Sequence, residues 1–257
     1  MNRERFLPMI GIAIFLGLWS LAIAQSPGTL LPGPLAVLVA LGELAEDGTL
    51  FEHIFASLAR VAAGYLAAVV VAIPIGIALG WWKRAEKAFN PMIQVFRPIS
   101  PLAWIPLGIL WFGVDNSTAV FLIFIASSFP IIVAAMSAVH HIPAVHLRAG
   151  RNFGLSGPDL VRTVVYPAIM PRLLVGLRLA LGISWIVVVA AEMIAVRSGL
   201  GFLIIDSRNA GNRYDCVVAG MVMIGIIGVL LDLGMRQLEK LKSVRWGYQG
   251  HSSKGSA

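Results

Sequence analysis

The residue types that catalyse reactions are few in this 257-residue chain, and none of them stands in a catalytic pattern. There is no HExxH, GxSxG or GxxxxGK[ST] motif, so neither hydrolytic chemistry nor an ATP site is indicated. Ser127, Ser128 and Ser184 lie in apolar stretches without a neighbouring base, and a single cysteine, Cys216, excludes an intramolecular disulfide. Glu192 also lies in an apolar stretch, where it is either paired with an arginine or part of a transport path.

The strongest chemical pattern is a polar, basic segment that runs from Arg148 to Pro171 with the sequence RAGRNFGLSGPDLVRTVVYPAIMP. Its composition predicts a helix broken near Gly154, then a short amphipathic helix that Pro167 and Pro171 end. The face of this second helix is formed by Leu160, Val161, Val164 and Val165. A short rigid helix on a membrane surface fits a cleft on a soluble partner, and a loop that only rests on lipid headgroups is the simpler alternative.

The rest of the chain has the composition of a membrane protein. Hydrophobic residues make up 58% and charged residues 13% of it, and the mean hydropathy is +0.84. A helix needs about 20 apolar residues to cross the bilayer, and backbone amides in lipid must be satisfied within helices. The sequence therefore predicts an all-α polytopic membrane protein, one domain over residues 1–246 and a disordered cytoplasmic tail at 247–257. About six spans are expected, at 6–24, 54–82, 99–112, 118–139, 174–196 and 216–235.

The distribution of Lys and Arg predicts the orientation of these spans, because short cytoplasmic loops retain cations. Most cations fall into four groups on one side: Arg3 and Arg5; Lys83, Arg84, Lys87 and Arg97; Arg148, Arg151, Arg162 and Arg172; Arg236, Lys240, Lys242 and Arg245. The loop at 25–52, on the other side, has no Lys or Arg. Both termini are thus predicted to be cytoplasmic. The net charge of +7 follows from this topology and anionic lipid headgroups, and nucleic acid need not be invoked.

Two features of the outer side allow alternatives. The basic start, the first apolar run and Ala22-Ile23-Ala24 imitate a cleavable signal peptide, but the run is longer than a signal core, so we expect a retained span. Four arginines are expected toward the outer side, either as solvated loop charges or together as an electropositive mouth that favours an oxyanion: Arg60, Arg197, Arg208 and Arg213.

The polar segment resembles the signature loop of ABC importer permeases, which usually reads Glu-Ala-Ala, three residues, then Gly. Gly154 matches that glycine, Ser156 the small polar residue two later, and Pro167 and Pro171 the closing prolines, with Leu155 inside the matched run. Further stretches resemble permeases that import nitrate, sulfonates, taurine and related oxyanions: LPGP (31–34), SLARVAAGY (57–65), AWIPLGILWFG (103–113), GLRLALGISW (176–185) and VAAEMIAVRSGLG (189–201). The likeness covers nearly the whole chain. It departs from the family where Arg148, Ala149 and Gly150 replace Glu-Ala-Ala, which reverses the leading charge.

This resemblance implies the type I ABC importer permease fold in a multi-pass protein of the bacterial inner membrane. It implies a second permease copy, cytoplasmic ATPase subunits that carry ATP and Mg, and a periplasmic solute-binding protein; the chain itself holds no cofactor. The segment at 146–171 would be the ATPase-coupling loop. Trp104 and Glu192 are candidates for the translocation path or gate. An ion-gradient-driven secondary transporter and an intramembrane enzyme are the alternatives, although no internal repeat or catalytic constellation favours them.

Overall fold

The computed structural model describes residues 7–25 and 30–239, which form helices and turns with no strand among them. The predicted all-α class is therefore confirmed, and the predicted tail at 247–257 lies outside the described residues. The helices are α1 (Leu7–Ala24), α2 (Pro34–Glu46), α3 (Thr49–Trp81), α4 (Lys83–Phe96), α5 (Ile105–Phe112), α6 (Asn116–His140), α7 (Ala144–Asn152), α8 (Gly157–Leu160), α9 (Tyr166–Ala195), α10 (Leu200–Gly211) and α11 (Tyr214–Glu239).

Four helical stretches are long and apolar enough to cross a bilayer: α3, α6, the stretch Gly157–Ala195 that contains α9, and α11. A fifth results if α4 and the stretch Pro101–Phe112 are counted together, although these two meet at an angle of 88°. Within the described residues, α1 is a shorter apolar helix. The number of six spans therefore stays a prediction.

The predicted third span at 99–112 differs most from the structure. Only a single 3₁₀ turn (Pro101–Trp104) and the eight-residue α5 occupy it, so it is a short arm and not a full-length helix. Three prolines, Pro98, Pro101 and Pro106, explain this break, because each lacks the amide hydrogen that helix continuation requires. Arg97 lies at the resulting bend, directly after the last residue of α4, and its predicted cytoplasmic side stays a prediction.

The prediction that Pro167 and Pro171 end a helix before the next span is wrong. The helical stretch runs without interruption from Gly157 through a π turn (Val161–Val165) into α9, and Pro171 lies inside α9. Pro167 is in the first turn of α9, where the wider π turn before it accommodates the missing amide hydrogen. One continuous helical path therefore joins the polar segment to a membrane span.

Helix α6 occupies the centre of the fold, with α3 packed along one side and α9 along the other. The contact with α3 is close because small residues face α6: a Cβ atom on Gly76 would lie 2.6 Å from the Ala135 Cβ and 2.6 Å from the Ile132 carbonyl oxygen. On the other side, the hydroxyl oxygens of Ser127 and Ser184 lie 2.6 Å apart and join α6 to α9. One hydroxyl donates to the other across this contact, and the accepting serine donates its own hydrogen to a carbonyl of its own helix, which is Ile123 O for Ser127 or Ala180 O for Ser184.

We predict that Gly76→Ala destabilises the fold by about 1–3 kcal/mol, because the added methyl group meets backbone that cannot move aside cheaply. Gly225→Ala in α11 is the matched control, since no atom lies within 4 Å of the position its Cβ would take. The free energy of unfolding is measured for both variants by denaturant titration in detergent micelles. Equal stabilities of the two variants would contradict the close α3–α6 contact.

Candidate functional site

The polar segment folds into a helical hairpin, which we call the coupling segment (residues 144–165). It consists of α7, a tight turn at residues 153–156, α8 and the π turn. The turn depends on Gly154, whose φ of +81° is a conformation that side chains disfavour, and it lies where the helix was expected to break. Three backbone hydrogen bonds close the end of α7: Phe153 N to Ala149 O (3.1 Å), Gly154 N to Arg151 O (2.9 Å) and Leu155 N to Gly150 O (3.1 Å).

The inner side of the coupling segment is apolar and well packed. Gly150 is buried, and a Cβ atom there would lie 2.8 Å from Leu160 Cδ1 and 2.9 Å from Val164 Cγ2. Leu160 and Val165 are buried, and Val161 and Val164 are half-buried, which confirms the predicted apolar face of the second helix. The small residue at 150 therefore lets the two arms of the hairpin approach each other.

The outer side of the coupling segment presents an aromatic ring among cations. Phe153 is 86% exposed, and Arg148, Ala149, Arg151 and Ser156 are exposed around it. Sequence reasoning missed Phe153, and no sequence signal distinguished its exposed position from a packed one. An exposed aromatic side chain with a basic rim is the pattern of an anchor that enters a pocket on a partner.

The predicted site residues do not all lie together. The structure brings those from residue 148 to 156 into one hairpin, whereas Pro167 and Pro171 lie in α9. Trp104 is at the bend after α4, half-buried, with its ring centroid 6.1 Å from that of Phe96. Glu192 lies near the opposite end of α9 from the coupling segment, so it belongs to a separate site.

Glu192 is fully buried in a network that joins α9 to α3. The Nη1 atom of Arg60, itself 5% exposed, lies 2.6 Å from Glu192 Oε1. Glu192 Oε2 accepts from the Ser57 hydroxyl (2.9 Å) and from the backbone amide of Gly201 (3.0 Å). Arg60 Nε donates to Asn116 Oδ1 at the start of α6, at 2.8 Å. The network therefore ties α3, α6 and α9 at one end of the bundle.

The same network holds the start of α10. The amides of Gly199 and Leu200 donate to His53 Nδ1 (3.0 Å) and the Ser57 hydroxyl (2.9 Å), and Arg60 donates to the Ser198 carbonyl (2.8 Å) and hydroxyl. Gly199 has a φ of +103°, and a Cβ atom there would lie 2.2 Å from a Glu192 carboxylate oxygen. The free amides of this helix end are thus satisfied by side chains of α3 and by Glu192.

The network corrects one interpretation of the outer arginines, because Arg60 is a buried partner of Glu192 and not a solvated loop charge. Arg213 is also paired: it contacts Asp215 and Glu43, and mainly the hydrogen bond to Asp215 holds the pKa of the Arg213 guanidinium above its ordinary value. Sequence reasoning missed His53 and Ser57. Their spacing with Arg60 places all three on one face of a helix and was the available signal.

A bundle of apolar helices long enough to cross a bilayer, with an exposed, glycine-turned hairpin fused to one of them, is the architecture of a multi-pass membrane protein. The chain belongs to the family of binding-protein-dependent transport system inner membrane components, which residues 69–244 match. ATP hydrolysis in this family is carried by a partner, so the chain is a non-enzymatic permease subunit.

Individual relatives agree with this assignment. The chain is 36% identical to the taurine transport system permease protein TauC of Escherichia coli, over 93% of this chain and 90% of TauC. It is 35% identical to the nitrate import permease protein NrtB of Synechocystis sp., over 91% of this chain and 88% of NrtB. Its fold matches a chain of the MetNI methionine ABC transporter with a TM-score of 0.67 at 17% identity, covering 77% of this chain and 96% of that one. The predicted type I fold is therefore confirmed.

We predict that Arg60→Met destabilises the protein by about 3–5 kcal/mol, because it leaves the buried Glu192 carboxylate without its cation. The double variant Arg60→Met/Glu192→Gln should lose less, since a neutral amide still accepts from Gly201. Arg236→Met, which removes an exposed pair with Asp232, is the control and should cost about 0–1 kcal/mol. Unfolding free energies in detergent micelles give the comparison, and a loss at Arg60 no larger than at Arg236 would contradict the buried-pair account.

Proposed function

We propose that this chain is the transmembrane subunit of an ATP-driven importer that moves a small oxyanion, of the sulfonate, taurine, nitrate or bicarbonate class, from the periplasm to the cytoplasm. Two copies of the chain would sit on two cytoplasmic ATPase subunits, which bind ATP and Mg. A periplasmic solute-binding protein would deliver the anion. Both termini and the coupling segment then face the cytoplasm of a bacterial inner membrane, as the distribution of Lys and Arg favours.

The observation that carries this proposal is the exposed surface of the coupling segment. Phe153 stands out from the turn with Arg148 and Arg151 beside it, while the inner side of the hairpin is packed against its own apolar residues. Such a surface suits a pocket on the ATPase with an apolar floor and carboxylates at its rim. Arg148 stands where the family usually has an acidic residue, so we expect its contact on the ATPase to be a carboxylate.

Transmission of the ATPase motion follows from the continuous helical stretch Gly157–Ala195. A displacement of the coupling segment moves α9 as a rigid body, because no loop between them absorbs it. Near its far end, α9 carries Glu192, which holds α3 and α10 through Arg60, Ser57 and Gly201. A movement imposed at one membrane face therefore reaches the helices at the other face, and Trp104 at the bend of the arm is a candidate gate.

Relatives that import taurine and nitrate support the oxyanion class, and ATP-dependent uptake is its test. The chain is reconstituted into vesicles with its ATPase and its binding protein, and uptake of labelled taurine, nitrate and bicarbonate is followed. We expect uptake of one anion that requires enclosed ATP and the binding protein and persists when ionophores remove ion gradients. Uptake that follows an ion gradient without ATP would instead support a secondary transporter.

We predict that Gly154→Asp and Arg148→Glu lower ATP-dependent uptake by about tenfold or more, while membrane insertion stays normal. The first forces a side chain into a φ of +81° at the docking turn, and the second reverses the charge that faces the ATPase. Gly48→Asp is the matched control, because Gly48 has a φ of +77° but lies between α2 and α3. As at Gly154, no atom lies within 4 Å of the position that its Cβ would take.

Co-purification of the ATPase with each variant separates docking from folding. We expect the ATPase to be lost from the two coupling-segment variants and retained by the Gly48 variant. Normal uptake and ATPase retention by Gly154→Asp would overturn the assignment of the coupling segment.

A further inference from the structure

A cavity of about 470 Å³ lies between the bend after α4, helix α6 and helix α9. Its walls are mostly apolar, and the polar groups among its lining residues come from Arg97 and Ser137: the cavity is lined by Arg97, Pro101, Phe129, Pro130, Ser137 and Ile183, among others. This volume is in the range of sites for small organic molecules and exceeds what a nitrate or short sulfonate needs.

The cavity reaches the central turns of two helices that are long enough to cross a bilayer. Phe96, the residue before Arg97, stacks on Phe129 with ring centroids 6.0 Å apart and planes within 7°. Phe129 is near the middle of α6, and Ile183 is near the middle of α9, so both helices bring their central turns to the cavity. Arg97 follows the last residue of α4, at the bend of 88°, and lines this mostly apolar cavity, where a charged side chain is usually functional.

Arg97 has no ion pair among the described residues, in contrast to one arginine in each of α3, α9 and α11. Arg60, Arg178 and Arg236 each contact a carboxylate. Within the part of the chain that the structure describes, Arg97 has neither an ion pair nor a side-chain hydrogen bond; it is exposed and is one of the residues that line the cavity. All of its guanidinium donors are thus available to a ligand.

We propose that Arg97 forms an oxyanion subsite of the translocation path, with the Ser137 hydroxyl as a further donor on the same cavity wall. The proposal rests on the oxyanion importer function proposed above and names the group that meets the anion inside the membrane. A planar guanidinium matches two oxygens of a nitrate, carboxylate or sulfonate at once, which an ammonium group does not. A single cation without fixed counter-charge holds the anion without trapping it, as transport requires.

Protection of a cysteine from alkylation tests binding independently of transport. Ser137→Cys is introduced in a Cys216→Ala background, which removes the chain's single native cysteine, and the intact complex is treated with a neutral maleimide. We expect nitrate and ethanesulfonate to slow alkylation of the new cysteine when Arg97 is present. In Arg97→Gln, the apparent affinity of the anions, measured from this protection, should fall by about tenfold or more. Equal protection in both would overturn the subsite.

Transport assays with matched variants give the second test. Arg97→Gln should lower uptake by about tenfold or more in complexes that co-purify with the ATPase as the wild type does, and Arg97→Lys should recover part of the uptake. Arg84→Gln, which removes an exposed cation from the other end of α4, should leave uptake unchanged. Wild-type uptake by Arg97→Gln would overturn the proposal.

A lipid phosphate is the other source of an oxyanion for Arg97, and the lipid composition distinguishes it. If Arg97 serves the transported anion, the defect of Arg97→Gln is the same in phosphatidylcholine vesicles as in vesicles with anionic lipid. A defect seen only with anionic lipid would refute the subsite and assign Arg97 to headgroup binding. If the wild-type complex imports no oxyanion but Arg97-dependent protection remains, the proposed function fails and the anion site stands.

Discussion

The ion pair between Arg60 and Glu192 is the interaction on which the arrangement of the bundle most depends. Both side chains are removed from solvent, so neither charge can remain there without the other. Because the pair also takes in Ser57, Asn116 and the amide of Gly201, one cluster fixes the relative positions of α3, α6, α9 and the start of α10. Small side chains then let α3 lie directly against α6 over the rest of its length.

Helix α9 connects this cluster to the coupling segment. The coupling segment continues into it through the π turn, and the cluster holds it near the other end. A permease must change its packing at one membrane face when a partner moves at the other, and a single stiff helix with a fixed attachment at each end provides that connection. The π turn lies where Pro167 interrupts regular hydrogen bonding, and the chain stays helical across this junction.

Sequence reasoning succeeded where one physical rule dominated. Apolar length gave the main spans, because lipid leaves helices as the only solution for an isolated segment. It failed at prolines, where local and tertiary effects compete. Pro98, Pro101 and Pro106 broke a run that was apolar enough to be expected as a span, while Pro167 and Pro171 were expected to end a helix that in fact continues. Proline removes a hydrogen bond in both cases, and only packing decides whether the helix ends.

In the candidate sites too, residues fixed by local backbone geometry could be predicted, and residues fixed by tertiary packing could not. Gly154 was predictable because a positive φ at a tight turn needs a glycine, whatever surrounds it. Phe153 was not, since an aromatic residue in an amphipathic segment is as compatible with the apolar side as with the exposed one. The partner of Glu192 lies 132 residues away in sequence, a pairing that helical periodicity on α3 hints at but does not specify.

The contrast between Arg60 and Arg97 connects stability to transport. Both guanidinium groups belong to helices of the same bundle, but one is neutralised by a carboxylate of the protein and the other faces a cavity without one. A cation that the protein neutralises attracts no further anion. For a cation without a protein partner, part of the desolvation free energy is offset when an anion binds to it. A permease for anions requires unpaired cations along its translocation path and paired cations between its packed helices. The prolines at the bend after α4 contribute to this arrangement, because Arg97 and Pro101 lie at the bend and both line the cavity.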